Sequence, residues 1–564
     1  MKDIRKIILF GAGEIGKQAL AYFGAENVYC FVDNSKEKTG TMVESVPVIS
    51  FAELKKIYAD YRIVISVDTK KSFILATQLE SAGINDYKIY LSIIHNYARK
   101  TEQAVVTLTG TGNKNVHEGN RVLIAAYYFP PLSGSGVYRS IKFVKYLRDF
   151  GWEPTVISTD QAPPEFTYLD ESLVAEIPED VEVVRIPDYI GTLRETSFPD
   201  HKDDILDFLG SVLRQDKKAA ELFESLRGDR IGEAELLTCP CASLTWAYDV
   251  VQYIEKNTDI HQFQVIYTTS GPFSTHLIGA YFQSKYGIPW VADYRDPWTK
   301  NAAFDYDTNS VWYKLFSALE SILLHQADRS LTVVPGLVDV YTERFQLESG
   351  KMACITNGYD EEDFGAVKPP RGPMQYFVIN YSGLIYGQGR SIVPILKALQ
   401  QLRDEKLVDI KKIQFRIVGT KGVESEKLAA NFGLQEIIVQ TGYVSHTEAL
   451  QSNQDAHILL LLAGCDAKFK YFYTGKIFDY LRTGKPILAI VPKNGIVDQT
   501  LRETGHGEAF LDTEIPQIKE MILREYRKWM RGEEREPLSS PHIRQFERKY
   551  LTGKLAEVFQ EVCS

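Results

Sequence analysis

Short apolar runs alternate with amphipathic helical stretches along most of this 564-residue chain. Strands that alternate with helices predict parallel sheets covered by helices, an α/β class. At about 150 residues per domain the length allows three or four domains, and the alternation divides into three sections. In the first, 1–99, strands are expected at 7–10, 28–32, 62–67 and 88–90, with a helix at 14–23. A polar, glycine-dotted stretch, 100–119, reads as a linker. A second set of strands is expected at 121–127, 155–158, 182–186, 265–268, 290–292 and 330–334. It is interrupted at about 195–240 by a charged segment with helical spacing, a helical insertion with a solvated face. A hinge at 346–372 precedes a third set at 377–381, 413–418, 437–441, 457–462 and 487–491, within 373–540. A helical tail, about 541–564, closes the chain.

Composition excludes several classes. Apolar residues make up 44% and charged residues 24%, and the net charge is −10, which is ordinary for a folded domain and unlike a disordered or nucleic-acid-binding chain. Six cysteines are scattered without a CxxC pair. Cys239 and Cys241 are the only close pair, so neither a disulfide framework nor a metal site is expected. The apolar run at the start is too short for a signal peptide, and none elsewhere approaches the roughly twenty residues that span a bilayer. A cytoplasmic protein is expected, peripheral to a membrane at most.

Gly11, Gly13 and Gly16 form a GxGxxG between a strand and a helix, and Asp33 ends the next strand. Glycines there let backbone approach a phosphate at a helix N-terminus, and the acid suits ribose hydroxyls. A nucleotide-binding domain is expected; one that has lost its ligand is the alternative. The first hundred residues resemble the small N-terminal Rossmann-like domains of bacterial sugar acyltransferases of the PglD type, which implies a second nucleotide bound there.

From 121 onward the sequence RVLIAAYYFPPLSGSGVYRS resembles the opening of GT-B glycosyltransferases of the GT4 type, and GIPWVADYRDPWT and CITNGYDEEDF continue the likeness. The resemblance covers about 121–564. It implies two Rossmann-like domains facing across a cleft, 120–345 for the acceptor and 373–540 for the donor nucleotide, with the C-terminal helix crossing back onto the first. The loop carrying Gly134, Ser135 and Gly136 can come close to a ligand, and Arg139 can face an anion. Asp293, Arg295 and Asp296 follow a buried strand, where ligand sites of open α/β sheets lie. Asp293 or Asp296 would orient the acceptor or take its proton.

In the second half, Gly383 begins a loop that resembles the phosphate grip of relatives. Leu384 stands where many have Arg, and Arg390 falls near the usual Lys. Segments 415–419 and 441–445, the latter with Tyr443 and Val444, match strand ends that line the nucleobase pocket. In YTGKIFDYLRTGKP, Thr474 suits an N-cap, Gly484 a C-terminal stop, and a helix over about 475–483 would aim free N–H groups at a diphosphate. By resemblance Gly475 and Lys476 meet that diphosphate and Asp479 holds the ribose. Relatives usually carry Glu at the Asp479 place and another eight residues earlier, where this chain has Tyr471.

The reading is a glycosyltransferase of surface polysaccharide synthesis. It would take a nucleotide-sugar donor and a saccharide or lipid-linked saccharide acceptor, with retention implied by resemblance. Lys476, Arg390 and the helix end would neutralise the leaving group without a metal or other cofactor. Tyr471 and Leu384 keep open a non-catalytic sugar-nucleotide sensor. A sugar-nucleotide oxidoreductase or epimerase using NAD would need a proton-relay pair such as Tyr-x-x-x-Lys within 1–99, which is absent. Lys142, Lys145 and Arg148 beside Ile141, Val144 and Leu147 would suit contact with anionic lipid on the cytoplasmic face. An ordinary amphipathic core helix is the other reading of that stretch.

Overall fold

A computed structural model describes residues 6–67, 75, 78–79, 82–84, 87–89, 107–109, 119–132, 134–159, 170–188, 201–228, 232–233, 236–237, 243–300, 307–369, 374–383, 391–419, 423–442, 444–533 and 541–564. The chain forms two compact units. One comprises Met1–Val137, Glu153–Asp293 and Tyr306–Asp328, the other Tyr138–Trp152, Tyr294–Asp305 and Arg329–Ser564.

The first unit contains a six-stranded sheet in the order Met42–Val43, Val46–Ile49, Val28–Val32, Ile7–Phe10, Arg62–Ile65, Tyr87–Ile89. All pairings are parallel except the first, an antiparallel hairpin. Ile8 and Phe10 belong to one apolar cluster, Ile7 and Leu9 to another. Burial on both faces is why this strand is apolar at every position. The helix Phe51–Ile57 starts on a capping box of Ser50 and Glu53.

A second set of strands in this unit runs Trp290–Tyr294, Val265–Thr269, Asn120–Ala126, Trp152–Ser158, Val183–Arg185, Thr107–Thr109. The last lies within the segment read as a linker and pairs antiparallel with Val183–Arg185. Its alternating Thr-Leu-Thr is a strand pattern cut short by the glycines and polar residues that follow it. Helices Lys202–Leu213 and Lys217–Leu226 fall inside the charged segment; Ile205, Leu206, Leu209 and Leu213 are buried and their charged residues mostly exposed.

The second unit is built on a parallel sheet in the order Ile438–Gly442, Ile413–Val418, Phe377–Ser382, Ile458–Leu462, Ile487–Ile490, Gly507–Phe510. A core of Phe377, Ile379, Phe415, Leu460 and Leu488 fills one of its faces against Leu396, Leu399 and Ile522 from the flanking helices. A parallel pair, Arg329–Thr332 and Met352–Cys354, belongs to the same unit; the second of these strands lies within the 346–372 segment. Tyr138–Trp152 groups with this unit rather than with the rest of 120–345. Its helix is ion-paired to Asp360 and Asp363, and the C-terminal helix Arg548–Cys563 packs on its end. There Trp152 meets Phe559 edge to face at 5.2 Å, and Lys549 bonds Asp149 at 2.7 Å. Among the described residues no helix is long and apolar enough to cross a membrane.

Candidate functional site

In the second unit, the sheet ends at Ser382 and Gly383, and helix Lys476–Thr483 is fastened beside that end. The Ser382 N–H donates to the buried Tyr480 hydroxyl at 3.1 Å. Ser382 Oγ and Asn380 Nδ2 both donate to Asn453 Oδ1, at 2.7 and 2.9 Å. That network ties the same strand to helix His446–Gln454, whose start is fixed by a capping box of Ser445 and Glu448. Two helices are thereby anchored at the carboxyl end of parallel strands, the usual place for ligands in α/β sheets.

Gly383 has φ +130, and a side chain there would collide with the Lys476 ammonium. The positive φ is what favours glycine here; the lysine end lying over it could swing aside. Lys476 Nζ also stands 5.0 Å from the Tyr381 ring centre. The helix starts at Lys476, one residue later than expected, so its N-cap is Gly475 and not Thr474. Thr474 Oγ1 is buried with no hydrogen-bond partner among the described residues. Val444 is half-buried just before the capping box. Arg390 and Tyr443 lie outside the described residues.

Asp479 lies in the first turn of the helix. Part of the residue meets solvent, yet burial of its carboxyl raises the pKa to about 6; His446, Arg548 and Lys142 pull it down, and Asp363 pushes it up. These neighbours belong to a set of internal charges that sequence reading missed. Lys142, only 1% exposed, lies 2.6 Å from both Asp360 and Asp363. Asp360 also accepts from Tyr146 at 2.7 Å and from Lys145 at 3.2 Å. Burial alone would raise Asp360, but Lys142, Tyr146 and Lys145 outweigh it and bring its pKa to about 2. His446 Nε2 sits 3.5 Å from Asp363 Oδ2, and the Tyr138 ring lies 5.0 Å from the imidazole.

Of the two readings of this stretch, the structure favours the core helix: Lys142 is turned inward and the side chain of Lys145 is only 17% exposed. Asp360 and Asp363, more than two hundred residues away, claim these cations. Arg139, expected to face an anion, is fully buried; it donates to the Thr356 carbonyl at 3.0 Å and lies over Phe143. Arg548 is buried too, near enough to Arg139 that burial and this like charge bring its pKa down to about 10. A lysine placed mid-helix between Ile141 and Phe143 was the available hint of an internal charge. Its partners could not be read from spacing.

The ring of Tyr471 lies against Gly336, at the start of helix Pro335–Phe345. The place of the absent acid is thus filled by a half-exposed aromatic packed on a glycine. In the first unit, Asp293 is fully buried, and its Oδ2 accepts from Tyr267 at 2.6 Å and Thr269 at 3.0 Å. Asp296, which belongs to the second unit, is 49% exposed and paired with Arg295 at 3.2 Å. Gly134 has φ +135 with open space beside it, Gly136 is half-buried, and the Ser135 side chain is outside the description.

In the amino-terminal sheet, Gly11 has φ +124 and Gly16 presses on the Gly11 carbonyl, so both glycines serve the turn itself. Gly13 does not: a Cβ there would have only Lys38 Nζ near, at 3.9 Å. Asp33 accepts from the Ala12 and Ser35 N–H groups at 2.9 Å each, and from Lys38 at 3.2 Å. Against the upward pull of burial, these donors hold its carboxyl below the usual range.

A family model described as C2185-like, N-terminal, matches residues 3–90. No curated protein matches the chain. Among solved structures, a sucrose-phosphate synthase from Thermosynechococcus elongatus is similar at 13% identity and TM-score 0.50, covering 78% of this chain and 98% of that one. A glycosyltransferase from Rickettsia africae gives 14% identity and TM-score 0.47, covering 79% and 99%. The lipopolysaccharide outer core galactosyltransferase WaaB gives 12% and 0.45, covering 78% and 99%. The likeness is one of fold, the GT-B arrangement of Rossmann-like sheets.

Proposed function

We propose that the chain is a glycosyltransferase that moves a sugar from a nucleotide-sugar donor to a saccharide or lipid-linked saccharide, with retention, in surface polysaccharide synthesis on the cytoplasmic side. One observation carries this reading: Lys476 lies over Gly383 at the carboxyl end of a parallel sheet and opens a helix whose first turn also holds Asp479. An ammonium and a helix N-terminus suit the charge that grows on a departing diphosphate. Asp479 suits the ribose hydroxyls, and of the two acids expected to serve an acceptor, Asp296 is the exposed one while Asp293 is fully buried. No metal or cofactor is assigned to the transfer. A second nucleotide would sit over Gly13 in the amino-terminal domain, where a side chain has room and none is present.

Thermal shift of the full chain against a panel of nucleotide sugars, followed by transfer assays with the donors that bind, tests this. The anomeric configuration of the product, read by NMR, tests retention. If no nucleotide sugar raises the melting temperature and none is consumed, the reading fails. Tyr471 in place of an acid favours one other reading, a sensor that binds the donor without turnover. Binding with no transfer to any saccharide or lipid-linked acceptor would establish it.

A further inference from the structure

The sheet of the second unit reverses its order at one place. From Phe377–Ser382 the chain adds Ile413–Val418 and Ile438–Gly442 on one side, then Ile458–Leu462, Ile487–Ile490 and Gly507–Phe510 on the other. Ligands of open α/β sheets bind at the carboxyl ends of strands beside such a reversal. Pairing of Phe377–Ser382 with Ile413–Val418 runs to Ser382, whereas pairing with Ile458–Leu462 covers Ile379 and Asn380. The Gly383 N–H donates to the Val418 carbonyl, and the Val378 carbonyl, on the other side, accepts from His457. Successive residues of a strand turn their backbone groups to opposite sides, so the Ser382 N–H points toward the strand that has parted. A side chain meets it there. The Tyr480 hydroxyl accepts this N–H at 3.1 Å, and Tyr480 is fully buried.

Tyr480 stands four residues beyond Lys476 in the same helix, and residues so spaced share a helix face. Lys476 lies over Gly383, with its Nζ 5.0 Å from the Tyr381 ring centre. One helix face thus meets three consecutive residues, Tyr381, Ser382 and Gly383. Ser382 offers it a fixed point, because its Oγ is held by Asn453 Oδ1 at 2.7 Å from a different helix.

We propose that Tyr480 is a positioning residue of the donor site: its hydroxyl, set between the parted strands, fixes the helix turn from which Lys476 reaches the leaving diphosphate. This rests on the donor reading of Lys476 given above. The lysine end can swing, but its root is held. Without the Tyr480 oxygen a buried N–H loses its partner, and the turn must shift or admit water to satisfy it.

A free nucleoside diphosphate is the stable counterpart of the leaving group. Its outer phosphate carries a second negative charge above about pH 6, which the sugar ester lacks. UDP, UDP-glucose, GDP and GDP-mannose are therefore titrated calorimetrically into the full chain at pH 8. The variants are Tyr480→Phe, which keeps the ring, Lys476→Ala, and the two combined. Tyr480→Phe should weaken the free diphosphate by about fivefold or more and its sugar ester by less than about twofold. Added to Lys476→Ala it should cost less than about twofold further, since it acts through that lysine. Equal losses for both ligands, no loss, or the full loss retained in the Lys476→Ala background overturns the role of Tyr480 and leaves the donor site standing. If no probe binds the native chain, the donor reading and this inference fall together. NMR of protein labelled at the lysine ε-carbon tests the coupling without ligand. The Tyr381 ring should displace the Lys476 signal, identified by its loss in Lys476→Arg, and Tyr480→Phe should move it toward the position of exposed lysines. An unmoved signal refutes the coupling.

Discussion

Replacing Lys142 by methionine removes one charge that neutralises two. Lys142 is 1% exposed and 2.6 Å from both Asp360 and Asp363. Methionine keeps the length of the side chain and fills the space, so the loss is electrostatic. Breaking a buried pair by deleting one partner costs about 3–5 kcal/mol, because the other charge is left uncompensated. The fall in the Asp360 pKa from 3.8 to about 2 is worth roughly 2–3 kcal/mol in all, shared among Lys142, Tyr146 and Lys145, and Lys142 also helps to hold Asp363 down. For a unit of this size each kcal/mol is worth about 2–4 °C, so Lys142→Met should melt roughly 6–20 °C below the native chain at pH 7. The pH dependence carries a sign. Asp360 has a depressed pKa, so its contribution is complete above about pH 4 and is lost as pH falls through about 2. The gap between native chain and variant should therefore narrow between pH 4 and pH 2. Differential scanning calorimetry across that range is the assay. A melting temperature within 2 °C of native at pH 7, or a gap indifferent to pH, would refute the argument that Lys142 works through these carboxylates.

Lys476→Ala should lower turnover more than donor affinity, by about 2–4 kcal/mol in the barrier, and steady-state kinetics with an identified donor would show equal losses if that is mistaken. Asp479→Ala should mainly raise the apparent KM, by about 1–3 kcal/mol; near-normal KM and turnover would place the ribose elsewhere. Gly13→Val should leave the fold and transfer intact, because the site is open, while abolishing nucleotide binding to an isolated 1–99 fragment or, if that does not fold, to the full chain; retained binding would remove the ligand from that loop. A chain beginning at 107 should remain folded and bind donor, with insolubility, or a folded chain blind to every donor of the native protein, as the contrary result.

Much of the scaffold was legible because buried parallel strands advertise themselves. Ile7–Phe10 and Ile458–Leu462 are apolar throughout, and the structure places them within sheets. Short edge elements were not. Thr107–Thr109 and Gly507–Phe510 lie at sheet edges, where the apolar pattern weakens, and Met42–Val43 is too brief to show a period. Around the candidate site, glycines were the readable part: Gly383 and Gly484 both sit at positive φ, as a tight turn after a strand and a helix stop require. Charges were misjudged where their partners are remote. Lys142 beside Ile141 and Val144 has the periodicity of a solvated stripe, and nothing local discloses Asp360 and Asp363. Arg139 was expected to meet an anion; it meets the Thr356 carbonyl. Thr474 has the chemistry of a cap, but the backbone turns helical one residue too late for it.

The strand Thr107–Thr109 lies antiparallel along Val183–Arg185 at the margin of its sheet, while Val183–Arg185 runs parallel to its other neighbour, Trp152–Ser158. Without it, Val183–Arg185 would present its backbone donors and acceptors to solvent, a template on which a second molecule can add a strand. A truncation made a few residues further on, at 111, would thus differ in kind from one at 107. It would strip a guard from the sheet, and its failure would come as concentration-dependent self-association, detectable by light scattering while each molecule still held its own fold.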